Sequence, residues 1–342
     1  MQTTLIIGAA DTGKTTLTAR WARWSAAEGA SFVLDADTGQ SEIGPPGCVG
    51  LARAQSDIER LGDLKPEASF FVGALTPSSA ALEHAVAVRR GADLARSLGA
   101  DRLFVDTPGW VAGPGARRWL SSLAQLLAPD TVAVVDSGKT LEGLSRALAS
   151  VSGARIEIVA QPEGVQRKPA GLRATRRVTR LSKALANSRP LALPLDRLAT
   201  VGTTLGTGEP LPPELLRWCT SALKMPVGYA EQSEGTLAVF IQGHLRPGWE
   251  SLVGPVAYHF KVKVVRPISL AALDGVLLGL HDDAGRLLSM GRFTGLDPER
   301  GELLCSAPLS ESATDRVALA AFGRVCCAPD GSAIQELRPG EL

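Results

Sequence analysis

The chain has 342 residues, 45% of them hydrophobic, and its 36 Lys+Arg against 35 Asp+Glu leave a net charge of +1. This composition excludes a wholly disordered chain and, at roughly 100–200 residues per domain, predicts two domains with cores of their own. No apolar run approaches the roughly 20 residues of a bilayer span, and the N-terminus lacks the basic start and long apolar core of a signal peptide, so an intracellular, cytoplasmic address without membrane contact is expected. The cysteines at 48, 219, 305, 326 and 327 show no CxxC spacing. They predict reduced thiols rather than a disulfide framework or a zinc site, and the four dispersed histidines (84, 244, 259 and 281) read as structural or exposed.

The first predicted element is a buried strand, Thr3 to Ile7, followed by Gly8-Ala9-Ala10-Asp11-Thr12-Gly13-Lys14-Thr15 and a helix from Thr15 to Ala27. GxxxxGK[ST] between a strand and a helix is the context of a P-loop. Its glycines let backbone N–H groups turn onto phosphate oxygens, Lys14 reaches the β and γ phosphates, and Thr15 ligates Mg²⁺.

A second strand, Ser31 to Leu34, leads into Asp35-Ala36-Asp37-Thr38-Gly39-Gln40. With period two the two acids share a side unless the strand has already ended. There a carboxylate can take a proton from an attacking hydroxyl or hold a metal-bound water. Alternatively the pair forms a turn and has no chemistry.

Further strands are expected at Ser69 to Val72, Leu103 to Val105, Thr131 to Val135 and Ile156 to Val159. They alternate with helices at Ser79 to Ser97, Ala116 to Leu127 and Leu141 to Ser150, the βαβα pattern of a doubly wound parallel sheet. After the strand at 103–105 comes Asp106-Thr107-Pro108-Gly109-Trp110. Asp106 sits where a Walker B acid would stand near Mg²⁺. The same run matches the DxxG switch of GTPases, but no NKxD-like segment for guanine follows. Trp110 could stack on a base, whereas the other tryptophans (21, 24, 119, 218 and 249) read as core or rim.

Residues 164–189 hold Arg167, Lys168, Arg173, Arg176, Arg177, Arg180, Lys183 and Arg189 and no acid, so a +8 segment sits in a body of net −7. Arg173 and Arg177 are four apart and share a helical face, with Arg176 and Arg180 on a neighbouring one. One set could face phosphates and the other solvent or nucleic acid. The bland alternative is a solvated basic helix, but like charges without partners repel unless an anion occupies them. A Pro-rich joint (Pro210, Pro212, Pro213) and a short helix through Cys219 lead to turn-separated strands. The expected division is a P-loop domain at 1–208 that includes the basic segment at 163–189, a linker at 209–224, and an antiparallel β domain at 225–342.

Together, the run from Gly8 to Thr16, DADTGQ with Pro45-Pro46-Gly47, Phe71-Val72-Gly73 with Thr76-Pro77, Asp106 to Trp110 and the basic segment resemble the polynucleotide 5′-hydroxyl kinases, the RNA kinases found with pre-mRNA cleavage factors and rRNA-processing nucleases. The similarity reaches Gly275 to Leu280 and Asp283-Ala284-Gly285, covering nearly the whole chain. The resemblance implies a P-loop NTPase-type α/β fold with an arginine-rich helical lid and a smaller antiparallel β domain. It implies ATP, with other NTPs as alternatives, and Mg²⁺ as cofactors, and 5′-OH RNA or DNA as substrate. Asp37 would be the general base, while Gln40, Thr76 and Trp110, with Arg167 and Lys168, would hold the nucleic-acid end. Arg173 and Arg177 would close the lid over the phosphates held by residues 8–16, with Lys14 as a catalytic cation. Thr15, Asp35 and Asp106 would form the metal shell. Lys168 stands where the family has Arg, with Arg167 beside it. Some relatives carry a β domain ahead of the P-loop, for which a strand starting at Thr3 leaves no room. An RNA-processing protein partner is a further expectation. A small-molecule or nucleoside kinase, or an ATP-binding scaffold without transfer, would share the motifs.

Overall fold

A computed structural model describes residues 1–136, 141–162, 165 and 169–337. It divides into two compact units, Met1–Lys183 and Ala184–Leu342. The first unit holds, in chain order, β1 (Gln2–Gly8), α1 (Lys14–Ala26), β2 (Ser31–Asp35), β3 (Cys48–Arg53), β4 (Pro66–Phe71), α2 (Ala81–Ser97), β5 (Arg102–Asp106), α3 (Gly113–Leu127), β6 (Thr131–Val135), α4 (Glu142–Ser152), β7 (Arg155–Val159) and α5 (Ala170–Ala184).

The sheet order is β4-β3-β2-β5-β1-β6-β7. Five strands, β2, β5, β1, β6 and β7, run parallel; the near-continuous apolar sequences of β2, β5, β1 and β6 suit strands covered on both faces, while β7, at the edge, is only partly buried. Leu5, Ile7, Leu34, Val105 and Val134 pack into a core with residues of α2, α3 and α4, while Ile6, Val33, Phe104 and Val135 face a second core with residues of α1.

The sequence led us to expect a parallel sheet throughout, and β3 departs from it by running antiparallel to both β2 and β4. No periodic signal marked β3, because Cys48–Ala52 is buried on both faces and so does not alternate. The carboxyl ends of adjacent β2, β5 and β1 carry the Asp35, Asp106 and Gly8 loops, the edge at which ligands of such sheets bind.

The second unit has a mainly antiparallel sheet and a four-stranded sheet whose last strand, Val264–Ser269, lies parallel to Thr236–Ile241. Arg189–Pro194 pairs antiparallel with Glu302–Ala307, and Ala199–Val201 lies parallel to Leu319–Ala321. These strands explain why the units part after Lys183, ahead of the boundary expected at 208. Arg189, counted with the lid, opens a strand of this unit and donates to the Leu309 carbonyl. None of the five cysteines is in a disulfide, and no helix among the described residues is long and apolar enough to cross a membrane.

Candidate functional site

β1 ends at Gly8, where a Cβ would stand 2.5 Å from the Val135 carbonyl oxygen and 2.8 Å from Thr12 Oγ1. Asp11 and Gly13 take φ of +61° and +89°, the left-handed turns that roll successive N–H groups to one side. Among the described residues, the N–H groups of Ala10 to Gly13 have no acceptor in the protein. They and the N-terminus of α1, whose first turn carries no acid, form an anion cradle. Lys14 Nζ donates to the Ala9 carbonyl at 2.8 Å and so arches back along the loop. Burial pulls its pKa down, while the charges of Asp106, Asp37 and Asp11 oppose that loss. Thr16, next in α1, is exposed.

Asp106 closes β5, and its Oδ2 accepts from Thr15 Oγ1 at 2.7 Å. Its Oδ1 is buried and has no hydrogen-bond partner. Burial pushes its pKa up to about 6, against the pull of Lys14 and the Thr15 hydroxyl. An orphaned carboxylate oxygen beside a hydroxyl fits Mg²⁺, which binds through one or two carboxylates, waters and substrate phosphates. Among the described residues, no group of three or more His, Cys, Asp or Glu could hold a metal by itself, so phosphate oxygens would have to complete the shell. Three residues on, Gly109 is obligatory, because a Cβ there would lie 2.6 Å from the Ala10 nitrogen. Trp110 is half-buried and stacks on Trp119 of α3, with centroids 5.7 Å apart.

β2 ends at Asp35, in register with Asp106 on β5. Asp35 is enclosed: Oδ1 accepts from the Asp37 N–H at 3.1 Å, and Oδ2 from the N–H of Ile43 at 2.9 Å and of Glu42. Both oxygens are used to fold the following loop, and burial, with Asp106 alongside, raises its pKa well above the usual range. Asp37 behaves differently. Its Oδ1 accepts from the N–H of Gly39 at 3.1 Å and of Gln40 at 3.0 Å, and both of these bonds fall on one oxygen. Asp35 thus anchors the loop through both oxygens, whereas Asp37 shapes the turn through one and keeps Oδ2 open.

Gln40 is half-buried and donates to the Gly39 carbonyl. A Cβ at Gly39 would sit 2.5 Å from the Leu75 carbonyl oxygen, so this loop lies directly against the segment carrying Thr76. Thr76 Oγ1 bonds to Ser78 Oγ at 3.0 Å. His84 of α2, read from the sequence as structural or exposed, takes the structural role. It is fully buried and donates from Nε2 to the Ala36 carbonyl at 2.7 Å, between the two acids. Burial pulls its pKa down to about 4, so the ring is neutral with its proton on Nε2. It also meets Trp119 edge-on at 5.1 Å, and Trp119 in turn stacks on Trp110. A lone histidine in a helix gave no sequence signal for this role.

Pro162 and Val165 cross the P-loop so closely that a Cβ at Gly13 would stand 2.9 Å and 2.8 Å from them. In α5, Arg173 Nη1 lies 3.0 Å from Asp11 Oδ2 in the P-loop. Arg180 grips Glu42 twice, Nη2 to the carboxylate at 2.6 Å and Nη1 to the backbone carbonyl at 2.8 Å. Arg176 stands 3.7 Å from the other carboxylate oxygen. The acid-free segment therefore draws its counter-charges from Asp11 and Glu42, which corrects the expectation that only a bound anion could relieve it. Arg176 and Arg180 face the Asp35–Ile43 loop rather than solvent alone. Arg177 Nε is buried without a partner, and this residue lines a small recess with Gln40 and Pro46. Arg167 and Lys168 lie outside the described residues. A cavity of about 440 Å³ opens between α1 and α5, lined by Thr15, Thr16, Ala19, Arg60, Thr179 and Arg180 among others.

Comparison with known proteins agrees with this geometry. The family model for the mRNA cleavage and polyadenylation factor CLP1 P-loop matches residues 8–185. A polyribonucleotide 5′-hydroxyl-kinase of Thermococcus kodakarensis is 29% identical over 341 residues, spanning 99% of this chain and 92% of that protein. A kinase of the same name from Pyrococcus horikoshii is 25% identical over 96% of this chain and 87% of its own length. Among solved structures, Clp1p in complex with Pcf11p superposes with a TM-score of 0.56 at 12% identity, over 94% of this chain and 74% of that one, a likeness of fold.

Proposed function

This chain belongs to the CLP1 P-loop family, and from that premise we propose that it transfers the γ-phosphoryl group of ATP to the 5′-hydroxyl end of RNA. The polyribonucleotide kinases it resembles over nearly their whole length support RNA ahead of DNA. Lys14 and the N–H groups of residues 10–13 hold the triphosphate. Thr15 and Asp106 would hold Mg²⁺, which would supply charge neutralisation to the triphosphate. Asp37 takes the proton of the 5′-hydroxyl as its oxygen bonds to the γ phosphorus, and the bond from phosphorus to the β,γ-bridging oxygen breaks to release ADP. Arg173 and Arg177 balance the equatorial charge, as transfer through a loose transition state demands. Gln40, Thr76 and Trp110 hold the terminal nucleotide. A protein partner from RNA processing belongs to the same proposal, in keeping with a structural neighbour captured with Pcf11p.

The observation that carries this reading is the asymmetry of the Asp37 carboxylate. One oxygen is pinned by two backbone amides while the other is open, on the loop after β2, which β5 separates from the P-loop strand β1. A phosphate-transfer assay with labelled ATP and matched RNA and DNA 5′-OH oligomers tests it. RNA should be labelled by the wild-type chain and not by Asp37→Asn or Lys14→Ala. Equal rates on a nucleoside and on an oligomer would instead make it a small-molecule kinase, and ATP binding without transfer would make it a scaffold.

A further inference from the structure

We infer that Glu42 is a positioning residue that ties the arginine helix to the Asp37 loop, so that closing the lid over the donor also sets the base for the acceptor. The inference rests on the kinase reading above and deepens it.

Four bonds make the link. Arg180 holds both the carboxylate and the carbonyl of Glu42, at 2.6 Å and 2.8 Å. The N–H of Glu42 is held by Asp35 Oδ2, and the N–H of Asp37 by Asp35 Oδ1 at 3.1 Å. Asp35 is fixed at the end of β2, which is paired on both sides. The chain of contacts therefore runs from a helix that also touches the P-loop, through Arg173 and Asp11, to the backbone of the base. It bridges 138 residues of sequence at its Arg180 link.

An exposed Arg–Glu pair would carry little weight. This one is different because the side chains are only 32% and 24% exposed and the arginine fork takes a backbone oxygen as well. That second bond fixes the loop's main chain and not just a side-chain rotamer. Arg176, at 3.7 Å, adds charge but no second fork. The consequence is a gate on chemistry: with the lid open, the carboxylate that takes the proton loses one of the constraints that hold it in attack geometry. ATP would then meet a poorly aligned acceptor, and transfer to water would gain nothing from the base.

The test uses the full chain with Glu42→Gln, Arg180→Met and the double variant, plus Arg180→Lys in case Met unfolds the loop. Each single change should lower kcat on 5′-OH RNA about tenfold while KM for ATP stays within about twofold, and the double should be no slower than the slower single. Hydrogen exchange at the amides of Asp37, Gly39, Gln40 and Glu42 should speed up in Arg180→Met and less in Arg180→Lys. Unchanged kcat in both singles, losses that multiply in the double, or unchanged exchange would each overturn the inference. A wild-type chain that transfers no phosphate would defeat the kinase reading alone, because the exchange measurement still decides the coupling.

Discussion

The P-loop and the Asp35–Ile43 loop leave the same edge of the same sheet, yet they solve opposite problems. In the first, the N–H groups of Ala10 to Gly13 have no acceptor within the described protein and point their partial charge at an anion. In the second, the N–H groups of residues 37, 39, 40, 42 and 43 are all taken by the carboxylates of Asp35 and Asp37. A loop with its amides free attracts phosphate, and a loop with its amides already bound to acids repels phosphate and offers a carboxylate oxygen to an alcohol. Donor and acceptor are thus separated by where the negative charge is allowed to sit.

The comparison breaks most visibly at the base. Asp37→Asn should lower kcat by about 10²–10⁴-fold with ATP binding intact, whereas Lys14→Ala should lose ATP binding as well, as read by transfer assay and calorimetry. Gly109→Ala tests the backbone contact between the P-loop and the loop that follows β5. Its new methyl would stand 2.6 Å from the Ala10 nitrogen, so nucleotide affinity should fall by at least about tenfold while far-UV circular dichroism is unchanged.

His84 sharpens the acceptor side through pH. Its folded pKa of about 4 lies below the ordinary 6.5, so the unfolded chain takes up the proton first. Its contribution to stability is complete above about pH 6.5 and is lost as pH falls toward 4, on the order of 2 kcal/mol between pH 7 and pH 5. Asp106, pushed up to about 6, slopes the other way, because its ionised form is the disfavoured one in the folded state. Urea denaturation of wild type and His84→Gln at both pH values cancels that second slope, and an identical pH dependence in the two proteins would remove His84 from this role. The smallest expected effect is at Trp110→Ala, where losing one base stack of about 1–3 kcal/mol should raise KM for the oligonucleotide about tenfold and leave kcat nearly unchanged.

Much of this was legible in the sequence. The parallel strands are short apolar runs that end in their own motifs, and Gly8 to Thr15 carries its context with it. Asp35 and Asp37 were harder, since the period-two argument holds only while the strand continues. The structure ends β2 at Asp35, after which the two side chains part company. The counter-charges of α5 were hidden for a different reason. Asp11 lies 162 residues from Arg173, and Glu42 lies 138 from Arg180, distances at which no local pattern reports a partner. The direction of β3 and the His84 contact with Ala36 likewise depend on which segments meet, and not on what either segment prefers alone.

The reversed strand β3 has a consequence for how such a protein can change over generations. Asp35 pairs with Gly50, so the chain leaving β2 returns to the sheet beside its own point of departure. Residues added near the turn at Gly44 to Gly47 would have to spare the Gly47 N–H, which donates to the Thr38 carbonyl, and the Gly47 carbonyl, which accepts from the N–H groups of Val72 and Gly73. The P-loop is held as closely, because Gly8 is pressed against Val135 and Gly13 against Pro162 and Val165. Lineages built on this scaffold can therefore try new acceptors by exchanging side chains on the acceptor loop while inheriting the triphosphate grip intact.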